Sequence, residues 1–127
     1  PNKDQKVFKI EELNPSNYSV LILPGGVKSM EKVRQNKNII KFIGDFYNQS
    51  KIIGCICSGA QLLISAKIIK DKKIAAYYSM QDDITNAGAI YTDLPAVIDS
   101  GIVTTAHYKD LGPWMKAVIN EYYKKFK

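Results

Sequence analysis

The chain has 127 residues, 46% of them apolar and 24% charged, with a net charge of +6, which fits one domain with a core of its own. Its lysines are scattered among Ile, Asn and Tyr, with the densest groups at 70–73 and 124–127, so they form no basic stripe for nucleic acid. Two cysteines are too few for a secreted disulfide scaffold, and no apolar run reaches the roughly 20 residues of a membrane span; a reducing, cytoplasmic setting without a membrane partner is expected.

Residues 1–17 hold one short alternating piece, KVFKI, and then a turn-forming segment at 11–15. YSVLIL at 18–23 is a continuous apolar run rich in β-branched residues, which predicts a strand covered on both faces. It stops at Pro24-Gly25-Gly26, where paired glycines point to a sharp turn or a close approach of backbone. A short helix over 30–35 follows, capped by Ser29 or the loop before it. Glu31 is expected in its first turn, where a carboxylate is electrostatically favoured. Ile39, Ile40, Ile43 and Phe46 then mark an amphipathic helix that fades at 48–50.

The run at 52–57 reads as a second buried strand. It ends at Ser58-Gly59 and passes into AQLLISA, where Leu62, Leu63 and Ala66 repeat at helical spacing. Strand, helix and strand within one crossover length predict a βαβ unit in a parallel sheet covered by helices. Further along, 73–78 reads as a strand and 79–87 as a helix, with Asp82 and Asp83 in its first turns and Gly88 as its stop. Short strands are expected at 90–91, 96–99 and 102–105, the last two joined by a hairpin turn at Asp99-Ser100-Gly101. The tail, 111–126, is an amphipathic helix carrying Trp114, Val118, Ile119 and Tyr122.

Cys57 therefore stands at a strand-to-helix corner. A thiol there projects from the C-terminal edge of a sheet, and the amides of the new helix can stabilise a thiolate or an oxyanion. The small residues Ser58, Gly59 and Ala60 leave room above it, and the loop at Gly25-Gly26 can add a second amide. Cys55, inside the apolar strand, reads as a core thiol. The one histidine, His107, follows the last strand at the same sheet edge, where it can orient or deprotonate Cys57. Asp110, three residues on, can pair with it or cap the final helix. No zinc spacing is present, and the two-glycine loop is no dinucleotide fingerprint, so neither metal nor cofactor is expected.

LILPGG at 21–26, EKVRQN at 31–36, CICSGAQLLISA at 55–66, YYSMQDDITNAGAIYTD at 77–93 and VTTAHYKDLGPWMKAVI at 103–119 together resemble the DJ-1/PfpI superfamily, in its PfpI-like intracellular protease branch. The resemblance implies a flavodoxin-like three-layer sandwich with a mostly parallel sheet, assembled as a homo-oligomer. It also implies Cys57 as nucleophile and the Gly26 and Ser58 amides as oxyanion hole. Glu31 matches the acidic residue that reaches a neighbouring subunit's site, and His107 falls in the loop near the site. Such proteins include cysteine peptidases, glyoxalase or deglycase-type enzymes and stress-response chaperones, so a small carbonyl compound or a peptide is the implied substrate.

The sequence also departs from that pattern. Ser58 stands where protease-like members carry the histidine partner of the nucleophile, Ala106 where an arginine is usual, and Tyr77 and Tyr78 where the DJ-1 branch has a histidine. Family chains begin with a βα unit that supplies a central strand and a glutamate bonded to the cysteine; this sequence starts beyond it. A single domain lacking that portion is expected, with an N-terminal fragment or second chain completing core and site. Three readings follow: a cysteine-dependent hydrolase or glyoxalase-like enzyme, a non-catalytic redox-sensing or chaperone-like protein with an oxidisable Cys57, and a glutamine amidotransferase sharing Cys57, Gly59 and Gln61. The last ranks lowest, because His107-Tyr108-Lys109 lacks the His-x-Glu pair it requires.

Overall fold

The computed structural model describes residues 6–127. Four strands form the main sheet in the order β1 (Val20–Leu23), β2 (Ile52–Ile56), β6 (Ile102–Thr105), β5 (Val97–Asp99). The first three are parallel and β5 is antiparallel to β6. Ser100 and Gly101, both at positive φ, make the β5–β6 turn where the sequence predicts a hairpin. The architecture is the expected α/β sandwich.

β2 shows how the period of two in a strand builds two layers. Ile53 and Cys55 join a core with Phe42, Ile43 and Phe46 of α2 (Lys37–Asn48) and Leu62 and Leu63 of α3 (Ala60–Ser65). Ile52 and Ile56 face the other way, against Trp114, Ala117 and Val118 of α5 (Leu111–Phe126). Phe46, Ile53 and Leu63 are fully buried, and burial of such side chains stabilises by about 1.5–3 kcal/mol each. Between them, Gly54 lets α5 lie close. A Cβ there would stand 2.9 Å from Ile22 Cδ1 and 3.0 Å from Trp114 Cζ2. The Trp114 indole N–H donates to the Val103 carbonyl at 3.0 Å, which fixes the helix along the sheet.

Several local expectations need correction. The first helix, α1, spans Val27–Val33 with Gly26 at its N-cap and no side-chain cap, so Ser29 lies inside the helix. Glu31 is consequently beyond the first turn, and the helix-dipole reading of it fails. Asp110 occupies the N-cap of α5 but makes no side-chain cap bond. Ile119 is exposed rather than packed on the core. KVFKI at 6–10 forms no strand.

The predicted strand at 73–78 shrinks to β3 (Lys73–Ile74), which pairs in parallel with β4 (Ile90–Tyr91) in a small separate sheet. The reason lies in where its amides go. Ala75 N–H donates to Thr104 Oγ1 at 2.8 Å and Tyr77 N–H to the Cys57 carbonyl at 3.2 Å, so neither continues a ladder. The helix predicted at 79–87 is a 3-10 turn, Tyr78–Met80, leading into α4 (Gln81–Asn86). Asp82 and Asp83 fall in its first turn as expected, and Gly88 follows at φ +89°. Among the described residues, no helix is long and apolar enough to cross a membrane.

Candidate active site

β2 and β6 end side by side, with Ile56 in register with Thr105. The next residue of each chain segment, Cys57 and Ala106, thus emerges at one sheet edge. Cys57 adopts φ +59°, a left-handed conformation that costs a non-glycine residue roughly 1 kcal/mol or more. The strain turns a strand directly into the 3-10 turn Cys57–Gly59 and then α3. It leaves Cys57 partly exposed, whereas Cys55 is buried.

Main-chain contacts hold this corner. Gly25 lies so close that a Cβ would come within 2.8 Å of Cys57 Cβ and 3.3 Å of Ser58 N. Gly59 is tighter still, since its Cβ would stand 2.7 Å from the Leu23 carbonyl oxygen and 2.8 Å from that of Pro24. The Pro-Gly-Gly loop and the corner are therefore packed backbone on backbone, the close approach that the paired glycines predict. On the far side, the Tyr77 amide fixes the Cys57 carbonyl.

Gly26 N–H donates to Ser58 Oγ at 2.8 Å, and Ser58 is buried. The structure thus brings Gly26, Cys57 and Ser58 together, but the Gly26 amide already has a hydroxyl as its acceptor. Burial pushes the Cys55 thiol far above its ordinary value, with Cys57 adding a smaller increment. Cys55 accordingly stays protonated and behaves as core, as its place in the strand predicts.

His107 and Glu31 are placed differently. His107 Nδ1 accepts the Lys109 amide at 3.1 Å, and its ring lies 4.0 Å from that of Tyr108. Glu31 is exposed and lines a cavity of about 420 Å³ with Arg34, Gln61, Met80, Asp83 and Asn86, a group that does not include Cys57. Arg34 is held there by Ser65 Oγ at 2.9 Å and Gln61 Oε1 at 3.3 Å. Among the described residues no cluster of three His, Cys, Asp or Glu side chains is arranged to hold a metal ion. The role of Tyr77 as an anchor of the corner is carried by its amide and has no sequence signal beyond its place after β3.

A mostly parallel α/β sheet with a strained cysteine at a strand-to-helix corner, packed against a glycine loop from the adjacent strand end, defines an α/β sandwich with an elbow-shaped cysteine corner. The DJ-1/PfpI family model matches residues 6–121, and the chain belongs to that family. It is 35% identical over 109 residues to a Pyrococcus furiosus protein named Deglycase PfpI, covering 86% of this chain and 65% of that one. It is 37% identical over 101 residues to Protein/nucleic acid deglycase 2 of Escherichia coli, covering 80% and 58%. Among solved structures, a two-domain Anabaena variabilis protein with DJ-1/ThiJ/PfpI-like and ferritin-like domains superposes with a TM-score of 0.84 at 28% identity, covering 87% of this chain and 32% of that one. The chain spans just under two thirds of the length of these curated relatives.

Proposed function

We propose that this protein is a cysteine-dependent enzyme of the glyoxalase or deglycase type, with Cys57 as nucleophile. The observation that carries the reading is the φ of +59° at Cys57, strain retained at a partly exposed thiol while the neighbouring Cys55 is buried. Strain of this kind is found where a side chain must be presented. The deglycase names of the relatives at 35% and 37% identity support the same chemistry.

In this reading the Cys57 thiol first gives up its proton to a base. Its sulfur then attacks the carbonyl carbon of a small aldehyde such as methylglyoxal. A C–S bond forms, the C=O π pair moves onto oxygen, and the resulting alkoxide is held by backbone amides before it takes back a proton. The Ser58 amide is one donor. The Gly26 amide is the second, provided that it exchanges the Ser58 hydroxyl for the alkoxide. Glu31 acts on a neighbouring subunit's site in a homo-oligomer, and His107 orients groups at the mouth.

The unpaired edge of β1 is the place for a further strand. Ile22 is 40% exposed there, on the face that Trp114 and Val118 cover farther in. A parallel strand-helix unit, from the same polypeptide or a second chain, would pair with β1 and cover Ile22; it would also supply an acid-base partner for Cys57.

The test is turnover of methylglyoxal by the full-length protein and by Cys57→Ala. Loss of turnover in the variant supports the reading. Turnover that survives the substitution overturns it, and wild-type protein whose Cys57 oxidises readily but turns over no carbonyl points to the redox-sensing alternative.

A further inference from the structure

Two side chains on the segments that flank the Cys57 corner have no part in the scheme above. Tyr78 opens the 3-10 turn Tyr78–Met80, one residue after the amide that binds the Cys57 carbonyl. Lys109 lies in the 3-10 turn Tyr108–Asp110, on the loop that leaves β6 beside the corner. The two segments meet: the Lys109 ammonium sits 6.0 Å from the centroid of the Tyr78 ring, and the Tyr77 and Tyr78 rings are 5.7 Å apart.

Each is held from behind. Tyr77 ties the first segment to the nucleophile's own carbonyl, and the bond from Lys109 N–H to His107 Nδ1 shapes the second. Tyr78 is 43% exposed, so part of its side chain is open to solvent. Among the described residues the ion pairs within 4.0 Å join Lys41 to Asp45 and Lys124 to Glu121, which leaves Lys109 without a carboxylate partner. Its pKa is held above the ordinary lysine value, first by Tyr78 and then by Asp110 and Asp93. The ammonium is therefore present at any physiological pH.

An ammonium and a phenol, carried side by side on the two segments that flank the Cys57 corner, can supply two donors to an anion. Asp93 and Asp110 nearby favour a single negative charge over a dianion. We propose that Tyr78 and Lys109 recognise a carboxylate on the substrate, so that Cys57 acts preferentially on carbonyl compounds carrying one, such as a 2-oxo acid. The proposal rests on the reading of Cys57 as nucleophile.

The experiment compares alkylation of Cys57 by iodoacetate, which carries a carboxylate, with alkylation by neutral iodoacetamide. Peptide mass spectrometry on the full-length protein at low ionic strength follows both. The ratio of the two rates should fall about fivefold in Lys109→Gln, the size expected for one solvent-exposed charge at close range, and the difference should shrink in 0.5 M salt. Tyr78→Phe keeps the ring, removes the hydroxyl and should lower the ratio by a smaller factor. In turnover, Lys109→Gln should raise KM for glyoxylate relative to KM for methylglyoxal. An unchanged ratio in Lys109→Gln, with Cys57 still reactive, overturns carboxylate recognition alone. A Cys57 inert to both reagents overturns the nucleophile reading and this proposal with it. A changed ratio in a protein that turns over neither aldehyde upholds the recognition unit and overturns the carbonyl chemistry.

Discussion

The Gly26 amide and the Ser58 hydroxyl are hydrogen-bonded at 2.8 Å across the junction of two strand ends. One of the two amides proposed to hold an oxyanion is thereby diverted to a side chain. Ser58→Ala removes the acceptor and frees the amide. Since one oxyanion donor is worth about 10²-fold or more in rate, methylglyoxal turnover should rise about tenfold in the variant, while the lost bond costs about 1 kcal/mol of stability. A fall in turnover would show that the Ser58 hydroxyl itself assists the reaction.

Gly59 and Gly44 form a matched pair for stability. At Gly59 a methyl group meets two carbonyl oxygens within 2.8 Å and Cys55 Sγ at 3.1 Å, whereas at Gly44, within α2, it meets nothing within 4 Å. Gly59→Ala should destabilise by about 2–3 kcal/mol and disturb the corner. Gly44→Ala should stabilise by about 0.5–1 kcal/mol. Urea unfolding of the two variants checks both signs.

The two cysteines should differ sharply towards alkylating reagents. Burial holds the Cys55 thiol protonated, so iodoacetamide should modify Cys57 and leave Cys55 untouched until the protein unfolds. Cys55→Ala should keep turnover within about twofold and cost about 1–2 kcal/mol through lost packing. Early modification of Cys55, read by peptide mass, would contradict the buried placement.

Asp99 couples the β5–β6 hairpin to β3. Its Oδ2 accepts the Lys73 amide at 2.8 Å, and Ser100 donates to Oδ1 at 2.8 Å. The Lys73 amide first, and the Ser100 hydroxyl second, hold its pKa below the ordinary carboxylate value. The folded value is the lower one, so the stabilisation is present in full above the unfolded pKa of about 4 and fades as pH falls through the folded value. Asp99→Ala should cost about 1 kcal/mol at pH 7, an amount limited by solvent screening. The gap to wild type should close at lower pH, followed by thermal unfolding between pH 2 and 7.

Much of the fold was legible because its cues are local. The continuous apolar run at 52–56 announces a buried strand, which the structure shows packed on both faces, with Ile53 and Cys55 in one layer and Ile52 and Ile56 in the other, and Asp99-Ser100-Gly101 turns where its residue types demand. The corner itself was legible from the switch of period at Cys57. What escaped depends on long-range pairing of amides with oxygens. No pattern at 73–78 announces that Thr104 and the Cys57 carbonyl take its donors, and none shows that Ser58 Oγ takes the Gly26 amide. Nor does sequence show that Glu31 lines a cavity with Arg34, Gln61 and Asp83, since that depends on how α1 lies against α3 and α4.

The contacts of Gly25 and Gly59 have a consequence for how this corner changes over time. They join main chain to main chain, apart from the Cys57 Cβ and the Cys55 sulfur, while the Cys57 side chain packs against the layer that holds Trp114 and Val118. Side chains outside these contacts can then be exchanged without disturbing the main chain of the corner. The loops bearing Tyr78 and Lys109 are such places, whereas Ser58, bonded to the Gly26 amide, is part of the corner itself. The main chain acts as a fixed mount for the corner, and the exposed loops around it are replaceable fittings.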